Sequence, residues 1–107
     1  MVDNPLGAPV GDLIRELRHR RGLTQLSMAD RLAEVSGNDG VNRRQVARWE
    51  RGKRIPSRYW RNWIGVVLET PTANLDRAAA LAQFLRAAPE VAEDLAEHGR
   101  PVSSAAR

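Results

Sequence analysis

The run Val41-Asn42-Arg43-Arg44-Gln45-Val46-Ala47-Arg48-Trp49-Glu50-Arg51-Gly52-Lys53-Arg54 admits few folds. It spells a short capped helix with arginines along one side and Val46 and Trp49 on the other. Asn42 is a favourable N-cap, and Gln45 three residues later can return a bond to the cap amide. Val41 before the cap and Val46 at the fourth helical position have the spacing of a hydrophobic staple. Gly52 can take the left-handed conformation that closes a helix, which sets a length of about nine residues, 43–51. So short a helix gains little from propensity and must dock through its apolar stripe. Its arginines then face outward, which is the build of a helix that enters a groove of nucleic acid.

The charge distribution points the same way. The net charge is +4, but residues 43–61 hold eight basic side chains and one acid, Glu50, whereas residues 90–97 hold four acids and no base. Asymmetry of this kind indicates a polyanionic partner better than net charge does, although a charge run taken alone is usually a solvated face. There are no cysteines, so disulfides, thiolate chemistry and cysteine-ligated zinc are excluded. No apolar run approaches the roughly 20 residues of a membrane span. The first ten residues lack the pattern of a signal peptide. The expected location is the cytoplasm, at the nucleoid. One hundred and seven residues make one domain with a single modest core.

Residues 1–10 carry Pro5, Gly7 and Pro9 and few anchors, and read as a flexible arm. Asp12 is placed to cap a first helix with Leu13, Ile14 and Leu17 inward and Gly22 as its stop. Thr24 is placed to cap a second, along which Met28, Ala29, Leu32, Ala33 and Val35 recur with helical period. The turn-rich stretch 36–40 separates it from the arginine helix. Ser57 can cap a fourth helix, whose stripe is Trp60, Trp63, Ile64, Val67 and Leu68. Asn74 can cap a fifth, to about Ala88, with Leu75, Ala78, Ala82 and Leu85 inward. Pro89 interrupts that helix or opens a short sixth, and 99–107 read as a disordered tail. No stretch alternates with period two for long enough to form a strand. The expected fold is all-α, five to six helices over residues 11–98.

Residues 11–70 resemble the lambda-repressor-like helix-turn-helix domain of the XRE, or Cro/cI, type. The resemblance rests on Gly22-Leu23-Thr24-Gln25 at the entry to the second helix and on Met28-Ala29, where a Leu-Ala pair is usual. It continues with Gly40-Val41-Asn42 before the arginine helix, then Val46, then Trp49 to Arg54 and Pro56. Trp49-Glu50-Arg51-Gly52, with Tyr59-Trp60-Arg61 and Trp63 after it, is most similar to the form common in regulators of high-GC actinobacteria. One departure stands out. About seven extra residues, near Ala33 to Asp39, precede the turn, and the apolar face through Val35 favours a lengthened second helix over a loop.

The resemblance implies a double-stranded DNA partner and assigns roles. A recognition helix presents its first residues to base edges in the major groove. Arg43, Arg44, Gln45 and Arg48 are the candidate base readers, since arginine pairs bidentately with guanine and glutamine with adenine. For Gln45 the capping role competes and has the stronger claim. Ala47 is small enough for close approach or for a thymine methyl. Thr24, Gln25 and Asn42 at helix entrances, with Arg51, Lys53 and Arg54 beyond the recognition helix, form the candidate phosphate-binding set. Arg58 and Arg61 either extend that grip or are plain solvated charge. Glu50 matches a structural position and is expected to pair with Arg18. The three tryptophans are expected in the core, with Trp60 the only one also placed to meet DNA.

The function expected is a sequence-specific transcriptional regulator, commonly a repressor and a homodimer. Residues 75–98 are the candidate dimer or protein-partner surface. One alternative is an antitoxin, or a phage or plasmid control protein, that holds a partner on its C-terminal helices. Another, of a different class, is a protein-interaction adaptor that binds no DNA. No nucleophile–base pair, metal-ligand spacing or glycine-rich phosphate loop is visible, so neither catalysis nor a metal or cofactor is expected.

Overall fold

A computed structural model describes residues 7–98 of the chain. Five helices follow one another: α1 (Val10–Arg20), α2 (Gln25–Ser36), α3 (Arg43–Glu50), α4 (Arg58–Leu68) and α5 (Thr72–His98). Among the described residues there is no strand. The core between them holds Val10, Ile14, Met28, Leu32, Val46, Trp49, Ile64, Leu68 and Leu75. Within it α1 packs on α3 and α5, α2 on α3 and α4, and α4 on α5.

The helix starts show how local chemistry sets each boundary. Thr24 Oγ1 accepts from the Ser27 amide at 3.0 Å while Ser27 Oγ accepts from the Thr24 amide at 2.8 Å, a reciprocal capping box. Ser57 Oγ accepts from the Trp60 amide at the start of α4. Two starts differ from expectation. Asp12 does not cap α1: the helix begins at Val10 after Pro9, and Asp12 sits in its first turn, where a negative charge suits the helix dipole. That start shortens the expected arm, because Val10 is buried beside Gly11 against the end of α3. The rest of the arm, 1–6, and the expected tail, 99–107, lie outside the described residues. Asn74 does not cap α5 either. The helix already begins at Thr72, and the Asn74 side-chain oxygen is taken by Arg77.

The second helix continues through Val35, and the extra residues do not bulge out as a loop before it ends. It runs to Ser36 and ends at Gly37, whose φ is +68°, with Ala33 and Val35 packed against the core. The turn to α3 is held by Asn38, whose Oδ1 accepts from the Gly40 amide and whose amide group donates to the Tyr59 hydroxyl. Pro89 neither ends α5 nor opens a sixth helix, for α5 continues to His98. A proline forfeits its own N–H bond and can bend a helix, but neighbouring turns can carry the helix through it. Leu85 was expected inward and is 43% exposed, on the rim of an open cleft of about 240 Å³ shared with Val10, Ile55 and Ala82. The core has narrowed to that cleft by this point along α5.

Candidate nucleic-acid interface

The arginine helix α3 is eight residues long, so its stability is borrowed. Nucleating an isolated helix costs on the order of 4 kcal/mol, from a nucleation constant near 10⁻³. Val46 and Trp49 are almost fully buried, and burial of such side chains contributes roughly 1.5–3 kcal/mol each, enough to offset it. Asn42 adds a cap, its Oδ1 accepting from the Gln45 amide at 2.9 Å. Among the described residues the reciprocal bond from the Gln45 side chain is not made, so capping does not occupy that amide. At the other end Gly52, with φ +74°, closes the helix. Its amide donates to Trp49 O at 3.1 Å and the Lys53 amide donates to Arg48 O at 2.9 Å, the paired bonds of a Schellman ending. Lys53 and Arg54 follow that turn and are exposed. The expected length of nine residues shortens by one, with Arg51 as C-cap.

Arg43, Arg44 and Arg48 are exposed on α3, and Gln45 is half-buried. Ala47 is only 6% exposed and is not open to a thymine methyl. The side chains of Thr24, Asn42, Arg51, Lys53, Arg54 and Arg58 are exposed, and Gln25 is half-buried. Among the described residues none of these seven cations, from Arg43 to Arg58, enters an ion pair. Arg61 differs. It pairs with Asp76 at 2.8 Å and donates to Pro56 O at 2.9 Å, which fastens α4 to α5 and to the preceding loop. Trp60 is half-buried, packed between Trp49 and Tyr59.

Beneath this surface Glu50 gathers three elements. Arg18 Nε donates to Glu50 Oε2 at 2.6 Å and Arg18 Nη2 to Oε1 at 3.0 Å, a bidentate pair in which Arg18 is 8% and Glu50 3% exposed. The remaining Arg18 nitrogen, Nη1, donates to Leu23 O at 2.8 Å. Gln25 Nε2 donates to Glu50 Oε1 at 3.0 Å, and Arg15 lies 3.8 Å from the same oxygen. The expected Arg18–Glu50 pair is therefore present. The Gln25 and Arg15 contacts were not foreseen, because nothing in the spacing of 15, 25 and 50 signals them.

Gly11 explains how α1 comes so close. A Cβ there would fall inside contact distance of Trp49 O and 2.9 Å from Glu50 O, so only glycine lets α1 rest on the carbonyl end of α3. From the other side Arg86 of α5 donates to Lys53 O at 3.3 Å. The segment from Arg43 to Lys53 is thus held from α1, α2 and α5 while its arginines stay open.

Residues 14–58, from the middle of α1 to the first residue of α4, match a family model described as Helix-turn-helix. This segment is similar to the helix-turn-helix of XRE-family DNA-binding proteins. Within the matched span α2 and α3 are the two helices of the motif. No curated protein and no solved structure matches the chain. The start of α1, most of α4 and all of α5 lie outside the matched span. Among the described residues no helix is long and apolar enough to cross a membrane, and no group of three or more His, Cys, Asp or Glu side chains is placed to hold a metal.

Proposed function

We propose that this protein is a sequence-specific regulator of transcription that binds double-stranded DNA by inserting α3 into the major groove. The observation that carries the reading is the division of α3 into two faces. Val46, Ala47 and Trp49 are buried, while Arg43, Arg44 and Arg48 stand in solvent without ion-pair partners among the described residues. Arg44 and Arg48, one helical turn apart, reach the same stretch of groove floor and read guanine, with Arg43 and Gln45 on the flanking bases. Gln25, Thr24 and Asn42 bind phosphates from the helix entrances, and Arg51, Lys53 and Arg54 bind those beyond the end of α3.

The protein acts as a homodimer. Phe84 and Leu85, 66% and 43% exposed on α5, supply apolar surface for the second copy. Two recognition helices then meet successive major grooves about 34 Å apart on an inverted repeat. Occlusion of a promoter by that dimer is repression.

Selection of bound sites from random duplexes at physiological salt tests the whole reading. The expected product is an inverted repeat with guanine in each half-site, and Arg44→Ala with Arg48→Ala abolishes the preference. An asymmetric single half-site removes the dimer, and binding unchanged by the double substitution removes α3 as the reader. A small protein that co-purifies on Phe84 in place of the second copy replaces the homodimer with a partner complex.

A further inference from the structure

We propose that Glu50 is a positioning residue for DNA binding: its buried carboxylate holds the Gln25 amide so that the phosphate-binding end of α2 keeps register with the base-reading face of α3. The proposal rests on the DNA-binding reading above. Charge balance alone does not require it. Arg18, with Arg15 at 3.8 Å, already neutralises Glu50, and the bidentate pair at 2.6 and 3.0 Å ties α1 to α3 without help from α2; the acceptor sites that pair leaves open on the carboxylate are free to take a donor from another helix. Gln25 Nε2 donates to Oε1 at 3.0 Å.

The positions of the two residues give that bond its consequence. Gln25 is the first residue of α2 and Glu50 the last of α3, so a single hydrogen bond spans the two halves of the helix-turn-helix. A primary amide has two N–H groups in one plane. With one fixed on Glu50, the direction of the other is set before any DNA arrives. A glutamine without such a bond must lose side-chain rotamer freedom on binding. Glu50 cannot itself meet the backbone, since its side chain is 1% exposed and a carboxylate is repelled by phosphate. It acts through Gln25.

The first test needs no substitution. In the free wild-type protein, ¹⁵N relaxation of the Gln25 side-chain NH₂ is expected to report an ordered group, and free rotation on the picosecond to nanosecond scale overturns the proposal. The second uses the selected duplex with single methylphosphonate replacements along its backbone. Gln25→Ala is expected to weaken wild-type binding about tenfold, the loss of one hydrogen bond to a charged group, and to erase sensitivity at one phosphate only. In the pair Arg18→Met with Glu50→Met, which removes both charges at similar volume, sensitivity at that same phosphate is expected to be gone already. Gln25→Ala is then expected to change affinity by less than about twofold, coupling that a merely structural pair does not show. An equal loss in both backgrounds overturns the proposal. If the paired variant does not fold, the relaxation measurement decides alone. Failure of the wild type to bind any duplex removes the DNA-binding reading and this role with it, whereas wild-type binding without the coupling removes only the role.

Discussion

Raising KCl from 50 to 200 mM should weaken DNA binding by an amount that the exposed cations set in advance. Each phosphate neutralised by a lysine or arginine releases counterions, and log K falls with log salt at a slope of about −0.9 per phosphate. Arg51, Lys53 and Arg54 leave the closing turn of α3 exposed and without ion pairs among the described residues. In the proposed assignment they neutralise three phosphates per copy. One copy then has a slope of about −2.7, a loss of about 40-fold across this fourfold range of salt, and two copies have about −5.4, a loss of about 2,000-fold. Fluorescence anisotropy on the selected duplex at five salt concentrations separates the two values easily. Lys53→Ala should flatten the slope by about 0.9 per copy on every sequence tested, whereas Arg48→Ala should leave most of the slope and relax preference for one base pair, at about 1–3 kcal/mol. A slope shallower than −1, or a Lys53→Ala slope equal to wild type, refutes the assignment of this turn to the backbone.

Three further outcomes test how the reader is held. Gly11→Ala should destabilise by about 1–3 kcal/mol, because the new methyl meets the Trp49 and Glu50 carbonyls, and a melting temperature unchanged by calorimetry contradicts the close approach of α1. Asn42→Ala removes the cap on the Gln45 amide and should cost about 1 kcal/mol, read as a shift of roughly 4–8 °C in melting temperature. Arg18→Met or Glu50→Met alone should each cost about 3–5 kcal/mol by urea titration, since one buried charge is left without its partner, while the two together should cost far less; additive losses refute a buried pair.

The parts of this molecule that the sequence states openly are those where one residue type has one physical use. Asn42, Thr24 and Ser57 cap the helices they precede, Gly22, Gly37 and Gly52 follow helix ends with positive φ, and the stripe from Trp60 to Leu68 faces the core. The misplaced boundaries have a common cause. Asp12 and Asn74 are good capping residues by type, but each lies inside a first turn because what precedes it already packs: Val10 is buried, and α5 begins straight after Pro71. Leu85 fits the helical period yet is half in water, since period gives the direction of a side chain and not where the core stops. Arg58 and Arg61 look equivalent in the sequence and part in the structure, where only Arg61 finds Asp76 across α5.

The surface of α3 was legible because arginine, valine and tryptophan segregate within eight residues. What holds that surface was not, because it lies in tertiary contacts at separations of 25 to 39 residues. Gln25 and Glu50 are 25 apart, Arg18 and Glu50 32, and Gly11 lies 38 and 39 residues from the carbonyls it approaches. That division follows from the energetics of a short helix. Eight residues that cannot sustain themselves as an isolated helix can still give a sharply defined surface, provided neighbours over-determine their position. Here the constraints are a glycine contact on one side, a bidentate ion pair below and a hydrogen bond from the Gln25 amide of the preceding helix. The accuracy with which α3 would meet DNA in its proposed role is therefore a property of α1 and α2 as much as of its own arginines. Substitutions at Gly11, Arg18 or Gln25 should consequently alter affinity, though Gly11 and Arg18 are not themselves among the proposed DNA contacts.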